Sequence, residues 1–332
     1  MKVYKDCSLL SYNTFGIDAK TKELVEYESE SELISFLRKI PNEEPLFHIG
    51  GGSNLLLTKD FDGTILHSAI KGIEIARENA DYVFVRVGSG EVWDDFVAYC
   101  VDKGWGGVEN LSLIPGEVGA SAVQNIGAYG AEAKDVIVKV EAINLRTTQR
   151  CSFDNAECEY SYRQSIFKNK FKGTFAITYV TFRLSKNPEL NLSYGGLSKV
   201  VPLPSSIAEV RNAVIDIRKA KLPDPEIQGN AGSFFMNPVV SQALFEKIYK
   251  DYPDMPYYKV DGGVKIPAGW MIEQCGWKGK SMGKAGVHDK QALVLVNRGG
   301  ASSKDIMNLC DAICKDVYER FGVEIHPEVN FV

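Results

Sequence analysis

Two stretches of small and amide-bearing residues, and three polar side chains far apart in the sequence, are the places where this chain could do chemistry. Gly50, Gly51, Gly52, Ser53 and Asn54 lie between two apolar runs. Without β-carbons, successive main-chain amides can close on an anion such as a pyrophosphate. The spacing is neither the glycine fingerprint that opens a helix for a dinucleotide nor a lysine-bearing phosphate loop, and glycine runs also make ordinary tight turns. The second stretch joins Ile114, Pro115, Gly116, Gly119, Ala120 and Ser121 to Gln124, Asn125, Ile126, Gly127, Ala128, Tyr129 and Gly130. A flat slot of small side chains with hydrogen-bonding amides is what an isoalloxazine ring requires, although a glycine-rich loop packed on a sheet would use the same residues.

The isolated polar residues read less clearly. Arg163 sits in Tyr160-Ser161-Tyr162-Arg163-Gln164-Ser165 and offers a planar fork to a carboxylate, or else lies on the surface of an aromatic strand. Ser233 stands among Gly229, Asn230, Ala231, Gly232, Phe234 and Phe235, where small neighbours expose its hydroxyl. The glycine spacing of a serine-hydrolase elbow is absent, and the serine could equally cap a helix. Glu328 follows His326 and Pro327 near the end of the chain; an exposed glutamate there would do nothing, and His326 reads as structural.

The elements that must position these groups alternate between strand and helix periods. Leu24 to Tyr27 suits a strand, Leu33, Phe36, Leu37 and Ile40 recur at helical spacing behind Ser29 and Ser31, and Leu46 to Ile49 is a short strand leading into the glycine run. Leu55 to Leu57, Thr64 to Leu66 and Tyr82 to Val87 read as further strands, and Val92, Phe96 and Cys100 mark an amphipathic helix ending near Gly104. Val136 to Asn144 and Thr174 to Leu184 suggest a mostly β middle. The prolines in Lys221-Leu222-Pro223-Asp224-Pro225 interrupt a helical pattern and suggest a boundary. Beyond it, Ala292 to Val296 suits a strand, Ser302 and Asp305 can cap a helix striped by Ile306, Leu309, Ile313 and Val317, and Gly322 should end it. Val323 to Val332 reads as a last extended segment.

The bulk properties set outer limits. At 332 residues the chain should hold about two or three compact units. A net charge of -5 supplies no basic field for nucleic acid, which leaves room for a local cationic pocket. No window approaches the ~20 apolar residues of a membrane span, and the start of the chain lacks the apolar core of a signal peptide, so the expected location is cytoplasmic. Seven scattered cysteines, at 7, 100, 151, 158, 275, 310 and 314, match neither a zinc site nor a disulfide framework, and no metal is expected.

The glycine run, Ile114 to Gly116, Gln124 to Gly130, Tyr162 to Lys168, Gly229 to Pro238 and His326 to Val329 come in the order found in UDP-N-acetylenolpyruvoylglucosamine reductases, a family this sequence resembles over nearly its whole length. The resemblance implies an α/β (α+β) fold with a vanillyl-alcohol-oxidase-like FAD-binding part of two subdomains, residues 1–70 and 71–222. A substrate-binding α/β domain, 223–321, and a C-terminal segment, 322–332, carrying Glu328 would complete it. Ser53 stands where several covalent flavoproteins of that group carry a histidine, which implies non-covalent FAD. The implied FAD contacts are Gly50, Gly51, Gly52, Ser53, Asn54, Ile114, Pro115, Gly116, Ser121, Gln124, Asn125, Gly127, Ala128 and Tyr129.

The resemblance further implies reduction of UDP-N-acetylglucosamine enolpyruvate to UDP-N-acetylmuramate for peptidoglycan synthesis, with NADPH as the reducing co-substrate, by a monomer. An enolpyruvyl ether takes a hydride at its terminal carbon if charge growing on its carboxylate is stabilised, and a proton must then reach the adjacent carbon. The matching family positions make Arg163 and Glu328 the stabilisers and Ser233 the proton donor. Tyr194 resembles the tyrosine loop of the family's first type, which covers substrate, and Lys221, Asn237 and Gln291 match substrate-binding positions. Met236 and Asn330 depart from the more basic residues associated with their places.

Overall fold

Helix-period residues between two strand runs dictate a parallel arrangement near the start of the chain. Ser29 accepts a hydrogen bond from the Glu32 amide at 3.2 Å and caps the helix Glu30–Leu37, whose Leu33, Ile34, Phe36 and Leu37 are buried. This helix carries the chain from the strand Lys20–Tyr27 to Leu46–Ile49, and both strands pair in parallel with Phe61–Ser68. The strand Lys2–Ser8 adds an outer edge beside Lys20–Tyr27.

The structure, a computed structural model, describes residues 1–194, 196–201 and 205–332. The described chain divides into two compact units, one made of Met1–Cys7, Thr21–Gly51 and Phe61–Ala220, the other of Ser8–Lys20, Gly52–Asp60 and Lys221–Val332.

The rest of the first unit is organised by an antiparallel sheet ordered Arg150–Asp154, Ile137–Asn144, Phe175–Ser185, Tyr82–Gly88, Ile73–Glu78. Val83, Val85 and Val87 alternate onto its buried face, where the helix Trp93–Asp102 packs. Trp93, Phe96 and Phe182 form the centre, with ring centroids 5.7, 5.9 and 4.8 Å apart, and the Trp93 indole donates to the Leu111 carbonyl at 2.9 Å. Val92, read as part of this helix, is the exposed residue that precedes it. The edge strands Lys2–Ser8 and Ile73–Glu78 escaped the sequence reading because their side chains are mostly exposed and show no burial alternation.

The second unit contains an antiparallel sheet ordered Asn230–Ser233, Val294–Asn297, Ala285–Val287, Ser281–Met282. Against it packs the helix Ser303–Phe321, which presents Ile306, Leu309, Cys310, Ile313, Val317 and Phe321. Ser302 and Asp305 form the expected capping box, and Gly322 ends the helix at φ 65°. Of the final segment only Asn330–Phe331 is regular strand, paired in parallel with Leu55–Leu56. The remainder is held instead by main-chain bonds of Glu328 to Phe234 and of His326 to Met236. Among the described residues no helix is long and apolar enough to cross a membrane, and the cysteines form no disulfide.

Phe182→Ala removes the ring that both Trp93 and Phe96 pack on, and should cost about 3–5 kcal/mol in denaturant unfolding followed by tryptophan fluorescence. A loss below about 1 kcal/mol would mean that this cluster is not the centre of the first unit's core.

Candidate functional site

In the first unit the two glycine-rich stretches meet. The strand Leu46–Ile49 delivers Gly50 and Gly51 to the start of the short helix Val118–Gln124. A β-carbon on Gly50 would lie 3.1 Å from the Ala120 β-carbon and 3.3 Å from Glu117 Oε2, and one on Gly51 would lie 3.3 Å from the Gly116 α-carbon. Neither contact has room to spare, so the absence of side chains here serves close main-chain approach. Ser121 is buried and turns its hydroxyl onto the Val118 carbonyl at 2.7 Å.

The helix ends at Asn125, whose backbone is left-handed at φ 45° and whose side chain is fully engaged. Its Nδ2 donates to Glu132 Oε2 and the Ser161 carbonyl, both at 2.9 Å, and its Oδ1 accepts from the Lys134 amide at 3.0 Å. Gly127–Ala128 then pairs with Ala131–Glu132 across Tyr129 and Gly130, whose φ of 47° and 81° are the positive pair of a tight hairpin turn. Arg163 is fastened to this hairpin: Nη2 donates to the Gly127 carbonyl at 2.8 Å and Nη1 to the Asn125 carbonyl at 3.4 Å. Its own backbone is left-handed at φ 57°, a conformation uncommon outside glycine and often found at functional positions. Arg163 is therefore neither on a strand nor loose on the surface. Tyr194 stands beside the hairpin tip, since a β-carbon on Gly130 would be 3.1 Å from its own. Its neighbour Gly195, part of the same predicted loop, lies outside the described residues.

The sequence reading missed a second cation in this unit. Arg218, on the helix Ile207–Lys221, reaches back to the Leu113 carbonyl at 3.2 Å, one residue before Ile114. Burial pushes its guanidinium below the usual range, the charge of Arg163 adds to that, and Tyr129 and Asp94 oppose it. Arg211, two helical turns earlier, grips Asp94 with both nitrogens at 2.7 and 3.0 Å. Two arginines seven residues apart share a helix face, and that spacing was the available signal.

In the second unit, Gly52 is left-handed at φ 64°, and a β-carbon there would fall 2.0 Å from the Tyr12 carbonyl oxygen. Asn54 turns a buried Nδ2 toward no hydrogen-bond partner, while its carbonyl accepts from the Asn330 amide at 3.1 Å and the Asn330 side chain at 3.2 Å. Asn330 thus ties down the end of the glycine run. Thr14 links the same region to the serine strand, donating through Oγ1 to the Asn230 carbonyl at 2.6 Å.

Ser233 ends the strand Asn230–Ser233, exposed and in register with Val294, so it caps no helix. The next two residues, Phe234 and Phe235, are fully buried. They anchor the C-terminal segment: the Glu328 amide donates to the Phe234 carbonyl at 2.7 Å, the Met236 amide to the His326 carbonyl at 2.9 Å, and Phe235 bridges to Pro327. Ser233 and Glu328, 95 residues apart, are thereby placed on adjoining stretches of one unit. His326 contributes its main-chain carbonyl to this pairing. Asn237 Oδ1 accepts from the Ala268 amide at 2.9 Å, and a β-carbon on Gly269 would be 3.5 Å from Gln291 Oε1, so both amide side chains gather at the start of the helix Ala268–Gln274. Lys221 is exposed at the end of its helix.

The glycine run suits a flavin nucleotide. Among the described residues the main-chain amides of Gly51, Gly52 and Asn54 donate to no acceptor, and Asn54 Nδ2 adds a buried donor. Such donors fit an anionic diphosphate. The small residues Gly127 and Ala128 fit the side of a planar ring system, and Arg163 fits a carboxylate.

Comparison with known proteins agrees with this chemistry. A family model described as FAD binding domain matches residues 21–150, and one described as UDP-N-acetylenolpyruvoylglucosamine reductase, C-terminal domain, matches residues 224–332. The UDP-N-acetylenolpyruvoylglucosamine reductase of Bacteroides fragilis is 56% identical over 98% of each chain, and that of Flavobacterium johnsoniae 49% identical over 100% of each. The crystal structure of the reductase from Thermus caldophilus superposes with a TM-score of 0.70 at 22% identity, covering 99% of this chain and 98% of that one. 6-Hydroxy-D-nicotine oxidase from Arthrobacter nicotinovorans gives 0.52 at 13% identity, covering 97% and 86%. The fold is accordingly the mixed α/β, vanillyl-alcohol-oxidase-like architecture expected from the sequence.

Gly52→Ala should lower the thermal midpoint and destabilise by more than about 1 kcal/mol, because the new methyl group meets the Tyr12 carbonyl and the backbone is left-handed. An unchanged midpoint would show that this close approach is dispensable.

Proposed function

Because the chain belongs to the UDP-N-acetylenolpyruvoylglucosamine reductase family, we propose that it reduces UDP-N-acetylglucosamine enolpyruvate to UDP-N-acetylmuramate, a step of peptidoglycan precursor synthesis, with FAD as bound cofactor and NADPH as reductant. The observation that supports the reading is the main-chain bridge from Glu328 to Phe234, which brings the Glu328 backbone alongside the residue that follows Ser233. FAD, when bound, supplies the hydride for the terminal carbon of the enolpyruvyl group. Gly50, Gly51, Gly52, Ser53 and Asn54 would hold its diphosphate, and Ile114, Pro115, Gly116, Ser121, Gln124, Asn125, Gly127, Ala128 and Tyr129 its ring system, without a covalent bond because Ser53 offers no imidazole.

The protein's own groups then divide the remaining work. Arg163 holds the substrate carboxylate with its planar fork, and Glu328 donates a proton or hydrogen bond to the negative charge that grows there as hydride arrives. Two hydrogen bonds to main-chain carbonyls fix the guanidinium in advance, so little reorganisation is required when charge develops. The Ser233 Oγ proton passes to the carbon next to the carboxylate; a serine hydroxyl is a weak acid in water, but the enolate-like carbon is basic and the transfer is local. Tyr194, Lys221, Asn237 and Gln291 recognise the nucleotide diphosphate and sugar, with the Tyr194 loop covering them as in the family's first type. Residues 1–70 and 71–222 act as the flavin-binding subdomains, 223–321 as the substrate-binding part, and 322–332 as the bearer of Glu328. The enzyme works in the cytoplasm as a monomer.

The test is anaerobic spectroscopy in two steps. Yellow protein should bleach with NADPH and regain its colour on adding UDP-N-acetylglucosamine enolpyruvate; recolouring by air alone would favour an oxidase. Ser233→Ala should leave bleaching by NADPH at the wild-type rate and slow recolouring by about 100-fold or more. Equal loss in both steps would remove Ser233 from the proton-donor role.

A further inference from the structure

A part-buried imidazole between two carboxylates lies beneath the glycine run and has no part in the reaction just described. His67, on the strand Phe61–Ser68, stands in register with Ile49, the residue before Gly50. Its Nε2 lies 2.8 Å from Glu117 Oε1 and its Nδ1 3.4 Å from Glu26 Oε1. All three side chains are largely buried, at 16%, 13% and 19% exposure. The other oxygen of Glu117, Oε2, is the atom that a β-carbon on Gly50 would meet at 3.3 Å. A carboxylate is therefore pressed against the wall that receives an anionic diphosphate, an arrangement that repels the ligand unless a cation compensates it.

We propose that His67, protonated between Glu26 and Glu117, is a positioning residue for the flavin nucleotide: it neutralises Glu117 beneath Gly50 and fixes that carboxylate so that the glycine run accepts the FAD diphosphate. The inference rests on the reading of Gly50 and Gly51 as part of the FAD site. Among the groups around the cluster, Tyr27 feels the charges of both Glu117 and Glu30. Glu26 also accepts from the Tyr4 hydroxyl at 3.2 Å and faces Cys7, both from the strand Lys2–Ser8. From the strand Leu46–Ile49 comes His48, hydrogen-bonded to Tyr27 at 2.7 Å. Burial, with some repulsion from His67, pushes His48 down to about 3, so it stays neutral. Lys2, on the outer strand, acts on Tyr4, and His67 is within hydrogen-bond reach of both carboxylates. Burial is the largest single influence on His67 and lowers its pKa, but its hydrogen bonds and charge contacts with Glu117 and Glu26 together outweigh burial and raise it above 6.5.

The sign of the pH dependence follows. A histidine with a raised folded-state pKa contributes fully below 6.5, and its contribution is lost as the pH rises through the raised value. Loss of the proton leaves two carboxylates uncompensated at the diphosphate wall, so FAD should be released more readily at alkaline pH.

The experiment measures FAD dissociation from the holoprotein by flavin fluorescence after dilution, from about pH 6 to about pH 9. Wild-type Kd should rise about tenfold or more across the range, the coupling of one pKa unit. His67→Gln should bind FAD about tenfold more weakly at the acid end, with a flat profile. Adding Glu117→Gln to His67→Gln removes the buried charge and should recover most of the affinity. Superimposable wild-type and His67→Gln profiles would overturn the inference, as would a double variant no tighter than His67→Gln. If His67→Gln does not fold, the double variant decides: wild-type-like affinity without the pH dependence supports the proposal, and a retained pH dependence overturns it. Wild-type protein that binds no FAD at any pH overturns the flavin reading itself, a different failure from tight but pH-independent binding.

Discussion

The hydrogen bond from the Glu328 amide to the Phe234 carbonyl, 2.7 Å long, is the contact on which the arrangement of the second unit turns. It joins the end of the chain to a strand almost a hundred residues earlier. It works because Phe234 and Phe235 are buried and cannot swing away, with Phe15 edge-on to Phe234 at 6.2 Å and Phe331 at 6.1 Å. Aromatic anchoring thus turns a single main-chain bond into a fixed pairing of the two stretches of backbone that carry Ser233 and Glu328. The parallel pairing of Asn330–Phe331 with Leu55–Leu56 extends the same construction to the end of the glycine run.

The first unit solves a matching problem by different means. Its polar residues are fixed by main-chain carbonyls and left-handed backbone at Asn125, Tyr129 and Arg163. Strained positions of this kind persist where surrounding bonds over-determine them, and here Asn125 makes three side-chain hydrogen bonds and Arg163 two. A guanidinium held in this way keeps one position on the hairpin. The buried Arg218 adds positive charge near Tyr129 of the same hairpin, whereas the charge of Arg211 is cancelled by its two-pronged pairing with Asp94.

Much of this was legible from the residues. Ser29 and Ser302 announced their helices, Gly322 announced a helix end, and the apolar alternation in Tyr82–Gly88 announced a central strand, because caps and burial periodicity are local properties. The edge strands were silent because solvent covers them. The glycine run was noticed, but sequence could not say which contacts required it. Gly52 answers to the Tyr12 carbonyl and Gly51 to Gly116, partners 40 and 65 residues away.

The sequence by itself determined the family, the order of the motifs and the kinds of groups available for a flavin-dependent reduction, because those depend on which residues follow one another. Only the tertiary structure decided that Ser233 ends a strand rather than capping a helix, that Arg163 is fixed on the Gly127 hairpin, and that His67 is enclosed by Glu26 and Glu117. Each of these depends on a partner distant in sequence. Such partners meet only when burial brings their strands and helices together, and no local spacing records that distance.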